Sequence, residues 1–208
     1  MKKAHTGYAL AACAALLGLS LTSAASAADV TKLVEPCFDC HGRDGNSTEA
    51  DVPSIASFSE EYMGGSLKKY QDKARPCVET EIRSGSKKGT KTDMCKIAAA
   101  LGAGDITQIG EYFAAQTFVR TVQPFDAELA KKGRKVYKLK CYTCHGDNGS
   151  LPGDHAGILA GQKMAYLREQ LKHFREGKRP MPKKMKPKMD ALDDEAVEAV
   201  IHYYGSIQ

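Results

Sequence analysis

Apolar positions in this chain recur mostly at spacings of three and four residues, and alternating β-branched runs are few, so the pattern predicts helices. Between 164 and 175, Leu167, Leu171 and Phe174 share one face among charged neighbours. Ile106, Ile109 and Phe113 form a similar stripe in a helix expected over 105–113, with Asp105 and Gln108 placed as a variant capping box. Val197, Val200 and Tyr204 repeat the stripe in a helix expected over 193–204. Core packing is the ordinary reading of such stripes. A charged helix is expected over 127–140, and a shorter counterpart over 29–35, before Pro36. At the N-terminus the pattern differs: Lys2 and Lys3 precede a mostly apolar stretch from Tyr8 to Leu21 and a small-residue site, Ala25-Ser26-Ala27. This predicts a signal peptide over 1–27, cleaved after Ala27, and a periplasmic protein with no membrane span. Leu10-Ala11-Ala12-Cys13 is a weaker match to a lipoprotein box, because the apolar run continues past Cys13.

Two copies of Cys-x-x-Cys-His, at 37–41 and 141–145, set an offset of 104 that stays in register beyond them. Gly42 matches Gly146, Gly45 matches Gly149, Ala56 matches Ala160, and Tyr62 matches Tyr166. Farther on, Arg83-Ser84-Gly85 matches Arg175-Glu176-Gly177 at 92, and Leu101 and Tyr112 match Leu192 and Tyr203 at 91. The chain therefore reads as a tandem duplication, with about twelve extra residues in the first half between Tyr70 and Arg83. The expected division is 28–120 and 121–208, each long enough for a small helical domain.

Cys-x-x-Cys-His is the attachment signature of c-type haem: two thiols add across the vinyl groups, and the adjacent histidine ligates the iron. The expectation is two covalent haem c groups, at Cys37 with Cys40 and at Cys141 with Cys144, ligated by His41 and His145. A zinc site built from the four cysteines is the rival, and the paired histidines and export signal weigh against it. A sixth ligand for electron transfer is commonly methionine, whose thioether favours ferrous iron. Among Met63, Met94, Met164, Met181, Met185 and Met189, the repeat selects Met94, 7 residues before Leu101, and Met185, 7 before Leu192. Met63 and Met164 read as core residues. His155, His173 and His202 have no histidine at their repeat positions, which places them on the surface or in the core.

Cys77 and Cys95 remain, and in an oxidising compartment they are expected to form a disulfide holding the Met94 loop. They lack the Cys-x-x-Cys spacing of a redox-active pair. Charge changes the picture little. The net charge is +5, with 12 Lys and Arg against 14 Asp and Glu over 28–123 and 16 against 11 over 124–208. This mixture lacks the clustered basic and aromatic residues of a nucleic-acid binder.

Ile158-Leu159-Ala160-Gly161-Gln162, Tyr166-Leu167, Gln170-Leu171, Phe174 and Gly177-Lys178-Arg179 resemble the di-haem cytochrome c family typified by cytochrome c4. Phe125-Asp126, Leu129-Ala130 and the segment from Phe174 to Met185 are most similar to the cytochrome subunit of flavocytochrome c sulfide dehydrogenase. The resemblance implies an all-α fold of two tandem class I cytochrome c domains, with haems facing one another and Met94 and Met185 as axial ligands. It also implies a sulfide-oxidising flavoprotein subunit as electron donor and a downstream cytochrome or oxidase as acceptor. A free-standing carrier to a terminal oxidase is the alternative. A catalytic di-haem enzyme would need one haem with an exchangeable ligand, and the symmetric methionines speak against it. The chain is thus expected to serve as the electron-transfer part of an oxidoreductase rather than as its catalyst.

Overall fold

The computed structural model describes residues 25–153 and 156–208, with side chains from residue 30 onward. Most of the signal-peptide reading therefore falls outside the described residues. The first half comprises α1 (Ala25–His41), α2 (Glu60–Gln71), a hairpin of β1 (Thr80–Glu81) and β2 (Lys91–Thr92), α3 (Met94–Ala99) and α4 (Ala103–Ala114). In the second half α5 (Ala127–Val136) runs into a π-helical turn (Tyr137–Cys141). The one-turn α6 (Gly146–Gly149), α7 (Met164–Arg175), α8 (Lys186–Asp190) and α9 (Asp194–Gly205) follow. The molecule is helix-rich, and the antiparallel hairpin, pairing Thr80 with Thr92, is a small exception to the all-α expectation.

Three element boundaries depart from the sequence pattern. The first helix does not end before Pro36 but continues through it to His41, because proline removes one N–H donor while its φ remains helical. The helix expected over 127–140 keeps α-type bonding only to Val136, after which Tyr142 N–H bonds the Tyr137 carbonyl at 2.9 Å. In α4, Asp105 is the third residue and its carboxylate accepts from Gly102 N–H at 2.7 Å, so Gly102, rather than Asp105, begins the cap.

The repeat is visible in the backbone. Ile55 and Ala56 N–H donate to the Gly45 carbonyl, as Leu159 and Ala160 donate to that of Gly149. Ser57 N–H reaches the Phe113 carbonyl as Gly161 N–H reaches that of Tyr204. Gly45 and Gly149 have φ of 79° and 83°, which L side chains rarely adopt. Near the insertion, the structural match differs from the sequence match. α2 and α7 coincide at an offset of 104, and that offset persists through left-handed Lys73 and Gly177 to Arg75 and Arg179. Arg83 is therefore not the counterpart of Arg175. It belongs to the insertion, where it pairs with Asp51 at 2.6 Å.

Each half gathers its own core. Val34, Met63, Leu67, Ile109 and Phe113 are buried in the first, and Tyr137, Met164, Leu167, Val200, Ile201 and Tyr204 in the second. α5 and α9 cross so closely that a Cβ on Gly133 would lie 1.9 Å from the Ala199 carbonyl oxygen. Between the halves, Ile158 joins the core of the first. Fully buried Gln162 makes a two-way bond with Ser54, accepting from its N–H at 3.0 Å and donating to its carbonyl at 2.8 Å. These contacts satisfy a buried amide that would otherwise be costly.

Candidate functional site

In the first half, the last turn of α1 carries the Cys37 and Cys40 thiols, both free, and ends at half-buried His41. His41 Nδ1 lies 2.9 Å from the Pro53 carbonyl oxygen. A carbonyl only accepts, so Nδ1 carries the proton and Nε2 is left as an acceptor or metal ligand. Burial lowers the His41 pKa despite that carbonyl, favouring the neutral imidazole a metal requires. Burial, with a smaller contribution from Cys40, pushes the Cys37 thiol up to about 11.

The second half presents the same residues on different local structure. Cys141 ends the π-helical turn, Cys144 is exposed and His145 is half-buried. Burial lowers the His145 pKa and raises that of Cys141. No side chain or carbonyl among the described residues bonds the His145 ring. Its backbone is held instead: the Tyr137 hydroxyl donates to the His145 carbonyl at 2.8 Å and accepts from Asn148 N–H at 2.8 Å. Asp147 and Asn148 both adopt left-handed φ to make this turn.

Met94 begins α3 behind the Asp93 cap, and Met185 is the cap residue immediately before α8; both are half-buried against their cores. Their helices share one repeat position, for Leu101 N–H bonds the Ala98 carbonyl as Leu192 bonds that of Met189, each at 3.1 Å. Met63, Met164 and Met189 are buried in the cores, while Met181 is half-buried near Met185. Buried His173 lies 2.8 Å from Glu169, and His202 Nδ1 accepts from Asp126 N–H at 2.8 Å. His155 lies outside the described residues.

Cys77 and Cys95 are joined by a disulfide with Cα atoms 5.4 Å apart, and both sulfurs lie 3.9 Å from the Arg75 carbonyl oxygen. With Asp93, whose carboxylate caps α3, they form the only trio of potential metal ligands among the described residues. The four motif cysteines do not converge on one point, which removes the zinc alternative. Sequence reasoning did not single out the Pro53 carbonyl, Tyr137, or the buried arginine Arg75 with its counterpart Arg179. The arginines carried a signal, because both lie 34 residues beyond the histidine of their motif.

Several features fit haem c: free thiol pairs, a neutral histidine presenting Nε2 in the first half, and buried polar atoms awaiting a partner, Arg75 Nε and the Tyr204 hydroxyl beside Cys141. Twice over in one helical chain, this chemistry defines a di-haem c-type cytochrome with two covalently bound haem c groups.

The comparisons bear on which one. Residues 128–203 match the family model for cytochrome c oxidase, cbb3-type, subunit III. A cytochrome c4 from Stutzerimonas stutzeri is 34% identical, covering 79% of this chain and 81% of that one. A thiosulfate dehydrogenase electron acceptor from S. stutzeri strain A1501 is 30% identical, covering 100% and 97%. The crystal structure of reduced cytochrome c4 from Pseudomonas stutzeri superposes with a TM-score of 0.70 at 27% identity, covering 88% and 98%. The chain belongs to the cytochrome c4 family.

Proposed function

We propose that this electron-transfer protein works in the periplasm, taking single electrons from an enzyme that oxidises a reduced sulfur compound and passing them to a downstream cytochrome or oxidase. The observation that carries the donor is the full-length likeness to a thiosulfate dehydrogenase electron acceptor. Among the described residues no helix is long and apolar enough to cross a membrane, which suits a protein working beside one.

Bound haem supplies a one-electron ferric/ferrous couple. The chain's part is to fix and tune it. Cys37 with Cys40, and Cys141 with Cys144, are the attachment thiols. His41, through Nε2, and His145 would give an imidazole nitrogen to the iron, and the Pro53 carbonyl orients the first ring. Met94 and Met185 would supply soft thioethers to the iron, which favour its reduced state. Each half forms one class I cytochrome c unit.

A second reading keeps the same sites but makes the chain a permanent subunit of a sulfide-oxidising flavoprotein. It is favoured by the segment from Phe174 to Met185 and by exposed apolar Val119, Val122 and Phe125 along the segment joining the halves, a surface suited to an apolar partner. Mixing the di-haem protein with thiosulfate dehydrogenase and thiosulfate, or with the flavoprotein and sulfide, separates the two. Rapid haem reduction in the first mixture, with the cytochrome eluting alone at high salt, supports the thiosulfate-linked carrier. Co-elution with the flavoprotein at high salt and reduction by sulfide alone support the subunit. Reduction accelerated by neither enzyme overturns the sulfur-linked proposal.

A further inference from the structure

The residues that the first half has and the second lacks form a strap. Met94 stands 19 positions after Arg75, whereas Met185 stands 6 after Arg179, so the extra chain lies between α2 and α3. β1 and β2 pair it into a hairpin, Thr80 with Thr92 and Glu81 with Lys91, and Lys91 bridges to Glu79 at 2.8 Å. The hairpin loop reaches back to the first attachment motif. Arg83 N–H donates to the Asp39 carbonyl at 3.2 Å, and the Ser84 hydroxyl lies 3.2 Å from that oxygen and 3.3 Å from Asp39 Oδ1. Gly85, with φ of 73°, comes so close that a Cβ would sit 2.2 Å from Asp39 Oδ1. Asp39 stands between Cys37 and Cys40. The other end of the hairpin leads through the Asp93 cap straight into Met94. One strap thus joins the motif that supplies His41 to the candidate methionine ligand.

The Cys77–Cys95 disulfide fastens the two feet of this strap, Cys77 before β1 and Cys95 after β2. Its sulfurs differ in access. Cys95 is 6% exposed and follows Met94 in α3, while Cys77 is exposed and is followed by Val78 at 55% exposure. A thiolate arriving from solvent therefore meets Cys77 first. Accessible disulfides are the ones that exchange, and the long spacing of this pair argues only against a catalytic dithiol, not against a bond opened from outside. With the bond open, α3 keeps its Asp93 cap and the Gln71 amide on the Ala98 and Leu101 carbonyls. The helix is retained, but its first turn loses the covalent anchor beside Met94. The second half has no such fastener: its described cysteines are those of the motif, and Thr143, at the position of Asp39, is exposed.

We propose that the Cys77–Cys95 bond is a thiol–disulfide exchange site for a dithiol reductant, and that opening it loosens Met94 at the first haem site only. A thiolate of the dithiol attacks Cys77 Sγ. The S–S bond breaks, its electron pair leaves on Cys95 Sγ, and that sulfur takes up a proton. The second thiolate of the reductant then closes its own disulfide and releases Cys77 as a thiol, so two electrons and two protons pass from the dithiol to the protein bond. This inference rests on Met94 as the first iron ligand and not on the identity of the electron donor.

The test uses the folded di-haem protein with dithiothreitol as the dithiol and glutathione as a monothiol trap. Peptide mass mapping should place the glutathione adduct on Cys77, and dithiothreitol should open the bond without denaturant. After the iron is reoxidised with stoichiometric ferricyanide, stopped-flow cyanide binding reads how readily each sixth position is vacated. One haem should bind cyanide about tenfold faster once the bond is open, a change of about 1.4 kcal/mol in the barrier. The other haem should keep its rate, and re-forming the disulfide should restore the slow phase. Cys77→Ser with Cys95→Ser should show the fast phase at all times and no response to dithiothreitol. A bond that resists dithiothreitol until the chain unfolds, an adduct on Cys95, an unchanged cyanide rate after opening, or equal acceleration at both haems overturns the inference. Met94→Ala separates it from the ligand assignment. Fast cyanide binding in Met94→Ala beside an unresponsive wild type sinks the exchange site alone, whereas Met94→Ala as slow as wild type sinks the methionine assignment and the inference together.

Discussion

The two Cys-x-x-Cys-His segments carry the same chemistry on different scaffolds. In the first, a continuous helix through Pro36 delivers His41, and a carbonyl twelve residues on, Pro53, fixes the imidazole. In the second, the α-helix gives way at Val136, and the buried Tyr137 hydroxyl pins the backbone of His145 and Asn148. The position of Pro53 is taken by Gly157, and that of Tyr137 by Leu33 in the first half. Duplicated sites need not keep duplicated supports: the residues that react are fixed in type, while those that orient them only have to provide a hydrogen bond from somewhere.

The strongest way to break this comparison is to remove the haems one at a time. Replacing Cys37 and Cys40 by Ala should leave one haem per chain, held by the second half, and the reciprocal Cys141 and Cys144 variant should leave the other. Mass spectrometry of acid-acetone-extracted protein checks this, and a chain losing both haems from either change would show that the halves are not independent sites. The proposed methionine ligands come next. Met94→Ala and Met185→Ala should each remove about half of the ferric sulfur-to-iron charge-transfer band. Met63→Ala should leave the band and cost roughly 2–5 kcal/mol of stability, as buried truncations do. An unchanged band in Met185→Ala would pass the role to half-buried Met181.

Smaller effects sharpen the asymmetry. Cys77→Ser with Cys95→Ser opens a loop closed by residues 18 apart and should cost about 3 kcal/mol, lowering the melting of the first half while leaving the second half's haem spectrum intact. Tyr137→Phe removes a donor from the His145 carbonyl and an acceptor from Asn148, for a loss of about 1–3 kcal/mol. It should broaden the spectrum of the second haem only. Disturbance of both haems would mean that Tyr137 supports the seam rather than its own site.

How much of this was legible in the sequence depends on the kind of interaction. The motifs, the duplication and the shared position of Met94 and Met185 rest on spacing, which a sequence displays directly. Helical periodicity carried through 127–140 because a π-helical turn alters hydrogen bonding without altering which residues are apolar. The capping carboxylate of Asp105 was recognised, but its partner Gly102 has no side chain to announce a cap. Arg75 and Arg179 were hidden by a competing alignment at Arg83-Ser84-Gly85, where three similar residues recur inside the insertion. Only the left-handed residues closing α2 and α7 show which match is structural, and backbone sign at Lys73 does not follow from residue type. His41 with Pro53 is a side-chain bond to a carbonyl, a group every residue possesses.

Ile158 gives the molecule an order of events. It belongs to the second half in sequence but fills the core of the first, beside the buried Gln162 clasp on Ser54. While a growing chain is shorter than 158 residues, the core beside Cys37 and Cys40 lacks this wall. That core is therefore closed only once the second half has arrived. Its closure is in this way tied to chain position, without a separate lid.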